Sequence, residues 1–229
     1  MESNMIHEKI GGEKREFLLR ISSSFLFIPI AILLFYVSSR VFAFICWGTY
    51  SIIVYEIFFQ KNKKKVPLKI LAASICALGI YSFVFCRECY GLYGYVFLIC
   101  ITCSTDIGAY SFGKIFRGPK LCPQISPQKT WAGFWGGIFL ANVVFLCLKK
   151  VFFSFSPAGF YLQELIDNWG VVQIIILASI GGDLIESSFK RKIGVKDMSE
   201  WFPGHGGVLD RLDSLILASI VFAAMYLII

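Results

Sequence analysis

Charged residues are scarce in this chain. Asp, Glu, Lys and Arg together make up 16% of its 229 residues, against about a quarter in soluble domains. Hydrophobic residues reach 57%, and the mean hydropathy is +0.70. No polar stretch is long enough to form a soluble domain of its own. These absences exclude a soluble protein and predict an integral membrane protein.

Strict alternation of polar and apolar residues, the mark of a membrane β-barrel, is also missing. The apolar runs are continuous, and lipid leaves only helices or closed barrels. Because a helix needs roughly 20 apolar residues to cross a bilayer, we predict an all-α polytopic transmembrane bundle of about seven spans. The predicted spans cover residues 20–38, 41–59, 67–86, 92–112, 132–153, 169–189 and 212–229.

Basic residues are rare on one side of this predicted topology. Eighteen of the 22 Lys and Arg residues fall in the N-terminal tail and in the loops after the second, fourth and sixth spans. Since Lys and Arg accumulate in cytoplasmic loops, the N-terminus and these loops are predicted to be cytoplasmic. The run "KNKKK" is interpreted as an anchor at an anionic leaflet. No small-residue cleavage site follows the first apolar run, so we expect an uncleaved, multi-pass protein of a bacterial inner (cytoplasmic) membrane.

Two familiar kinds of site are missing as well. Cys86 and Cys89, like Cys100 and Cys103, have CxxC spacing, but no second Cys or His cluster completes a zinc site. We interpret these cysteines as structural, and a disulfide within the first pair stays open. A P-loop is also absent, because no Gly-Lys-Ser/Thr follows a strand.

The loop "GKIFRGPKLCPQISPQKTWAG" nevertheless has features of a phosphate site. Ser126, Lys129 and Thr130 come directly before a predicted helix start at Trp131. A helix N-terminus preceded by a lysine can bind phosphate. The alternative is that Thr130 simply caps the helix.

Acidic residues within the predicted spans are the next signal, because a charge at membrane depth is costly and marks a functional hypothesis. Asp106 lies in or near the end of the fourth span, and Asp183 and Glu186 share one face of the sixth. The alternative is that these acids pair with lysines and stabilise the packing of the bundle. Glu56, near the end of the second span, is interpreted as structural or interfacial.

The sixth predicted span leads into "KDMSEWFPGHGGVLDRLDS", from Lys196 to Ser214. This stretch combines carboxylates, basic residues and glycines. Mg²⁺ is usually held by one or two carboxylates together with substrate phosphates, basic side chains bind phosphate oxygens, and glycines let backbone N–H groups approach an anion. The pattern favours a site for a metal-bound nucleotide, although the glycines could also form only a turn.

The segment "SSFKRKIGVKDMSEWFPGHGGVLDRLDS", residues 187–214, resembles the signature of the phosphatidate cytidylyltransferase (CDP-diacylglycerol synthase) family. The flanking blocks "TDIGAYSFGKIFRGPKLCPQISPQKTWAG" and "GGDLIESSFKR" are similar to that family too, so the resemblance covers about residues 100–214. Ala132 and Gln128 depart from the types common in relatives. The matching signature positions are Ser188, Lys190, Arg191, Lys196, Asp197, His205, Gly206, Gly207, Asp210, Arg211 and Asp213.

The resemblance implies one membrane domain over 1–229, with N-terminal spans in 1–90 and the catalytic part in 91–229. It implies transfer of a cytidylyl group from CTP to phosphatidate, with pyrophosphate as the second product. The implied catalytic residues are Asp183, Asp210, Lys190, Arg191, Lys196, His205 and Arg211. The implied substrate-binding residues are Ser126, Lys129, Thr130, Ser188, Gly206 and Gly207. The implied metal ligands are Asp183 and Asp210, followed by Asp106, Asp197 and Asp213.

Mg²⁺ is the implied cofactor, and a second cation is left open. The implied partners are CTP, phosphatidate drawn from the bilayer and membrane lipids, with no nucleic acid and with a homodimer as an option. Two other functions are weighed against this one. A CTP-dependent lipid kinase would transfer the γ-phosphate instead, and an ion-coupled transporter would use Asp106 and Asp183 as cation ligands without turning over CTP.

Overall fold

A computed structural model describes residues 33–34, 36–59, 65–155, 167–199 and 206–228. Within these residues the chain forms five helices and one two-stranded hairpin. All five helices are long and apolar enough to cross a membrane, which confirms the predicted all-α membrane bundle. The helices are α1 (Ser39–Phe58), α2 (Val66–Phe116), α3 (Trp131–Phe155), α4 (Trp169–Ile193) and α5 (Leu209–Ile228), and the strands are β1 (Lys120–Cys122) and β2 (Ser126–Thr130).

Helix α2 reverses direction at Gly91. Its 51 residues would measure about 76 Å if straight, more than twice the roughly 30 Å hydrocarbon core of a bilayer. Gly91 has φ +64° and ψ −156°, a conformation that glycine adopts readily because it has no Cβ. The rings of Phe83 and Tyr95 lie 5.7 Å apart, although a straight helix would separate these positions by about 18 Å. The two halves of α2 therefore fold back on each other as two spans.

This reversal accounts for two of the predicted spans, 67–86 and 92–112, inside the single helix α2. The other predicted spans after residue 41 correspond to α1, α3, α4 and α5. The first predicted span, 20–38, lies mostly outside the described residues. The total of seven spans therefore stays a prediction.

The loops after α1, α2 and α4 gather at one end of the bundle, which we call the polar end. Lys65 Nζ donates to the carbonyl oxygen of Lys192, which joins the first loop to the end of α4. Arg191 Nε donates to the carbonyl oxygen of Ile125 at 3.2 Å, which joins α4 to the hairpin. These are the same three loops whose basic residues predicted a cytoplasmic position.

A two-stranded hairpin at the polar end was not predicted from the sequence. Strands β1 and β2 pair antiparallel, with Lys120 opposite Thr130 and Cys122 opposite Ser126. The N–H of Trp131 donates to the carbonyl oxygen of Pro119 at 3.1 Å, so the hairpin closes directly against the first residue of α3. The short strands hold Lys129 and Thr130 at the start of that helix.

Helices α2 and α3 pack closely through small residues. A Cβ added to Gly108 would meet the carbonyl oxygen of Gly136 at 2.5 Å, and one added to Gly133 would meet that of Ala109 at 2.6 Å. Small residues allow helix backbones to approach in this way inside a membrane. This contact positions the second half of α2, which carries Asp106, against α3, the helix that directly follows Lys129 and Thr130.

We expect Gly108→Ala to destabilise the bundle, since the new methyl group has no space and overpacking typically costs about 1–3 kcal/mol. Gly48→Ala on α1 is the matched control, because nothing lies within 4 Å of the added Cβ. The melting temperatures of both variants in detergent, followed by intrinsic fluorescence, should show a fall for Gly108→Ala alone. Equal shifts in the two variants would contradict the close packing of α2 and α3.

Candidate active site

Three aspartates from three helices face one another near the polar end, and we call them the acidic cluster: Asp106 on α2, Asp183 on α4 and Asp213 on α5. A Cβ added to Gly182 would meet the carbonyl oxygen of Asp213 at 2.5 Å, so α4 and α5 touch where the two aspartates lie. The hydroxyl of Ser214 donates to Asp106 Oδ2 at 3.0 Å. The three carboxylates are close enough for their negative charges to act on one another.

Basic side chains border this cluster. Lys129 Nζ lies 2.7 Å from Asp183 Oδ2, and the charges of Lys129 and Arg211 both act on Asp106. Three carboxylates and two cations therefore meet in one place, with Lys129 supplied by the hairpin and Arg211 by α5. The ion pair between Lys129 and Asp183 matches the alternative in which Asp183 stabilises the packing of the bundle.

The acidic cluster suits a hard divalent cation. Mg²⁺ takes oxygen ligands and keeps several waters, so one or two carboxylates and substrate phosphates suffice to hold it. Among the described residues no group of three acidic, His or Cys side chains is already arranged as a metal site. Asp183, together with Asp106 or Asp213, matches the smaller donor set that Mg²⁺ needs.

A second charged group lies beside the first, and we call it the Lys190 triad: Glu186, Lys190 and Asp210. Lys190 Nζ lies 2.6 Å from Glu186 Oε2 and 2.7 Å from Asp210 Oδ1. The side chains of Glu186 and Asp210 are each only 6% exposed. Removing Lys190 from this buried group would be strongly destabilising, since it would leave two buried carboxylates without their cation.

Asp210 also organises the described ends of the loop between α4 and α5, residues 194–199 and 206–208, which we call the glycine-rich loop. Its Oδ2 accepts hydrogen bonds from the N–H of Met198 at 2.9 Å and the N–H of Gly207 at 2.7 Å. Gly206 has φ +75°, and the Asp210 carboxylate fills the space where a Cβ would lie. Both oxygens of Asp210 are thus engaged by protein groups, so in this structure Asp210 fits a loop-organising role better than the metal-binding role predicted for it.

Several other predicted residues lie in the hairpin and at the end of α4. Thr130 Oγ1 accepts from the N–H of Gly133 at 3.1 Å, which matches the alternative that Thr130 caps α3. Ser126 is half-buried at the start of β2. The guanidinium of Arg191 holds the hairpin through Ile125, and Ser188 lines a cavity described below.

The remaining predicted residues lie in the loop after α4. Lys196 and Asp197 are exposed there, and a Cβ added to Gly206 would lie 3.4 Å from the Cβ of Asp197. His205 lies outside the described residues. The cysteines are free thiols, so the disulfide left open for Cys86 and Cys89 is not formed in this structure.

Glu56 is a residue that the sequence interpretation placed outside the site. Its carboxylate is 3% exposed and accepts hydrogen bonds from the N–H groups of Val208 and Leu209 at 2.9 and 3.0 Å. It therefore lies at the N-terminus of α5, beside the glycine-rich loop. The sequence does contain one indication of its importance, since Glu56 is the only acidic residue within the predicted span 41–59.

An apolar cavity of about 440 Å³ lies between α2, α4 and α5. Glu186 and Asp213 contribute to its lining, which joins the cavity to both charged groups. Leu71 and Ile185 also line it and are more than half exposed. One wall of the cavity thus reaches the apolar outer surface of the bundle, while another reaches the carboxylates.

Comparison with known proteins identifies the class of protein to which this bundle belongs. A sequence model of the cytidylyltransferase family matches residues 59–229. This range includes the acidic cluster, the Lys190 triad, the hairpin and the glycine-rich loop. The chain belongs to the cytidylyltransferase family, and the resemblance noted in the signature segment is confirmed at this level.

Particular relatives carry a more specific name. The phosphatidate cytidylyltransferase of Haemophilus influenzae is 40% identical over 138 residues, which cover 60% of this chain and 46% of that protein. The proteins of the same name from Brucella suis and Staphylococcus aureus are 42% and 41% identical, over 61% and 62% of this chain and 48% and 53% of their own lengths. The chain spans about half the length of the curated relatives it matches.

We expect Asp210→Asn to lower the stability of the protein by about 1–3 kcal/mol, because an amide has one acceptor oxygen and leaves either Lys190 or the N–H groups of Met198 and Gly207 without an acceptor. Asp167→Asn removes a comparable ion pair, with Lys149 at 2.8 Å, but Asp167 is 51% exposed, so its loss should cost less than about 1 kcal/mol. Thermal unfolding of both variants in detergent measures the difference. A melting temperature for Asp210→Asn as high as that of Asp167→Asn would show that the Lys190 triad does not stabilise the polar end.

Proposed function

We propose that this protein transfers the cytidylyl group of CTP to phosphatidate, forming CDP-diacylglycerol and pyrophosphate. The observation that carries the proposal is the position of the acidic cluster and Lys129 at the polar end, directly beside an apolar cavity. A reaction between a water-soluble triphosphate and a membrane lipid requires this combination of charged and apolar surfaces. The names of the relatives support the same reaction.

The reaction requires the protein to align two anions, CTP and phosphatidate, and it needs no covalent intermediate with the protein. A phosphate oxygen of phosphatidate attacks the α-phosphorus of CTP, a new P–O bond forms, and the bond from the α-phosphorus to the bridging oxygen of pyrophosphate breaks. Positioning and charge neutralisation are the main sources of acceleration for such a step. Since phosphatidate is already ionised, no strong general base is needed.

The chain's own cations suit the binding of both anions. Lys129 and Arg211 border the acidic cluster, and we assign them to the phosphates of CTP. When bound, Mg²⁺ would neutralise phosphate charge and stabilise the departing pyrophosphate, with Asp183 and Asp106 or Asp213 holding it. Lys190 stays within its triad and keeps Glu186 and Asp210 in place.

The cavity suits the lipid. Its apolar lining at Leu71 and Ile185 matches acyl chains, and its carboxylate-bearing wall at Asp213 lies where the lipid headgroup would meet the metal and CTP. Lateral entry from the bilayer explains why the carboxylates lie within membrane helices. We assign the polar end to the cytoplasm of a cell with an inner membrane, following the distribution of Lys and Arg.

The test is a single-turnover assay on the purified protein in detergent, with phosphatidate, Mg²⁺ and CTP labelled either at the α- or at the γ-phosphate. We expect the α-label in CDP-diacylglycerol and the γ-label in pyrophosphate. Asp183→Asn should lower the rate at least about a hundredfold, as loss of a charged group that acts on the transition state commonly does. Asp167→Asn, on the far side of the bundle, serves as the control.

The label also separates the competing functions. Transfer of the γ-label to lipid would indicate a CTP-dependent lipid kinase and overturn the proposal. Absence of both products from a folded protein, together with Mg²⁺-independent ion flux in vesicles, would favour the transporter. If the Asp183→Asn variant reacts as fast as the wild type, the acidic cluster does not take part in the reaction.

A further inference from the structure

Glu56 belongs to α1, and α1 ends at Phe58, before the family match begins at residue 59. A carboxylate that is 3% exposed inside a membrane helix is expensive unless hydrogen bonds or cations compensate it. Glu56 is compensated by three donors: the N–H groups of Val208 and Leu209, and the hydroxyl of Ser199, whose Oγ lies 2.7 Å from Oε1. All three donors belong to the glycine-rich loop or to the start of α5.

The contacts of Glu56 fall on both sides of the loop. Ser199 lies before residues 200–205, and Val208 lies after them. A Cβ added to Gly207 would lie 2.5 Å from Oε1 and 2.7 Å from Oε2 of Glu56, so the loop backbone rests directly on the carboxylate. One side chain on α1 thus ties together the two ends of the loop.

Asp210 holds the same loop from the other side. It accepts from the N–H groups of Met198 and Gly207, which are the neighbours in sequence of the residues that Glu56 contacts. Two carboxylates therefore hold the loop between them, and Asp210 is in turn held by Lys190. The negative charge of Glu56 at the N-terminus of α5 also interacts favourably with the helix dipole.

This arrangement has a consequence for the nucleotide. The N–H groups of Val208 and Leu209 at the start of α5, which would otherwise suit a phosphate, are already occupied by Glu56. Phosphates of CTP are left to the side chains of Lys129 and Arg211. Glu56 therefore acts on the geometry of the site and not on the substrate.

We propose that Glu56 is a positioning residue of the transferase: its carboxylate fixes the glycine-rich loop and the first turn of α5 so that Asp213 and Arg211 face Asp106 and Asp183. The inference rests on the proposed function for its catalytic consequence. The site would therefore depend on a helix that the matched family segment does not include.

The decisive variant is Glu56→Gln, which keeps the shape of the side chain but presents an NH₂ group to backbone donors. A misplacement of about 1 Å can cost up to a hundredfold in rate, so we expect kcat to fall about ten- to a hundredfold while the KM for CTP changes less than about threefold. Hydrogen exchange of the amides of Val208 and Leu209 should accelerate, while peptides from the middle of α4 stay protected. Glu88→Gln, at an exposed position near Gly91, is the matched control and should resemble the wild type in every measurement.

A purely structural role would lower the melting temperature but leave the kcat of the folded protein unchanged, and that result would overturn the inference. Loss of kcat with unchanged exchange at Val208 and Leu209 would overturn it too, because Glu56 would then act on the substrate. If Glu56→Gln does not fold, Ser199→Ala removes a single donor to the same carboxylate. We expect a several-fold loss of kcat in that variant, and wild-type kcat there would contradict a positioning role.

The two proposals fail in different ways. If the wild type makes no CDP-diacylglycerol, the proposed function fails, and the exchange measurement still decides whether Glu56 fixes the loop. If the wild type is active and Glu56→Gln is equally active, only the positioning inference fails.

Discussion

The arrangement of the loops and helix ends at the polar end depends on one constraint. A charged carboxylate inside a membrane protein is costly and needs a partner. Four acids at the polar end have specific partners: Glu186 and Asp210 share Lys190, Asp183 pairs with Lys129, and Glu56 receives backbone N–H groups. Because a buried charge without a partner costs several kcal/mol, these partners restrict where the loops and helix ends can lie. The positions of the hairpin, the glycine-rich loop and the start of α5 follow from that restriction.

The same compensation suits the phosphate chemistry that we propose for the site. Carboxylates that are already held in place need little reorganisation when charge develops during a reaction. The acidic cluster differs from the Lys190 triad in this respect. Lys190 is enclosed by two carboxylates, whereas Asp106 and Asp213 lie beside Asp183, and Asp213 also lines the cavity. The triad therefore suits a supporting role, and the acidic cluster suits contact with a metal and substrate.

Much of this arrangement could be predicted from the sequence, since its causes are local or compositional. The apolar runs predicted the helices, and the distribution of Lys and Arg predicted which loops gather at one end. Asp106 and Asp183 were identified because a charge within a span is costly. The signature segment pointed to Asp210, although its oxygens turn out to be occupied by Lys190 and the loop backbone.

The remaining features depend on contacts between residues distant in sequence. Glu56 meets Val208 across 152 positions, and no spacing rule connects a lone acid in one span with a loop before another. The reversal at Gly91 lies between two predicted spans, and the sequence predicted both spans but not the contact between their ends. The hairpin strands are too short to give a clear strand pattern in the sequence. The sequence alone also leaves open whether Thr130 caps α3 or binds phosphate, and the hydrogen bond from the Gly133 N–H shows the cap.

We propose that the acidic cluster and its bordering cations form a nucleotide site that works with a divalent metal. Equilibrium binding of CTP to the folded protein in detergent, measured by calorimetry with Mg²⁺ and again with excess chelator, tests it most directly. We expect CTP to bind in the presence of Mg²⁺. The affinity for CTP should fall strongly when the chelator is added, and also in the Asp183→Asn variant. CTP binding of equal strength with and without Mg²⁺, or no binding by a protein that melts cooperatively, would contradict it.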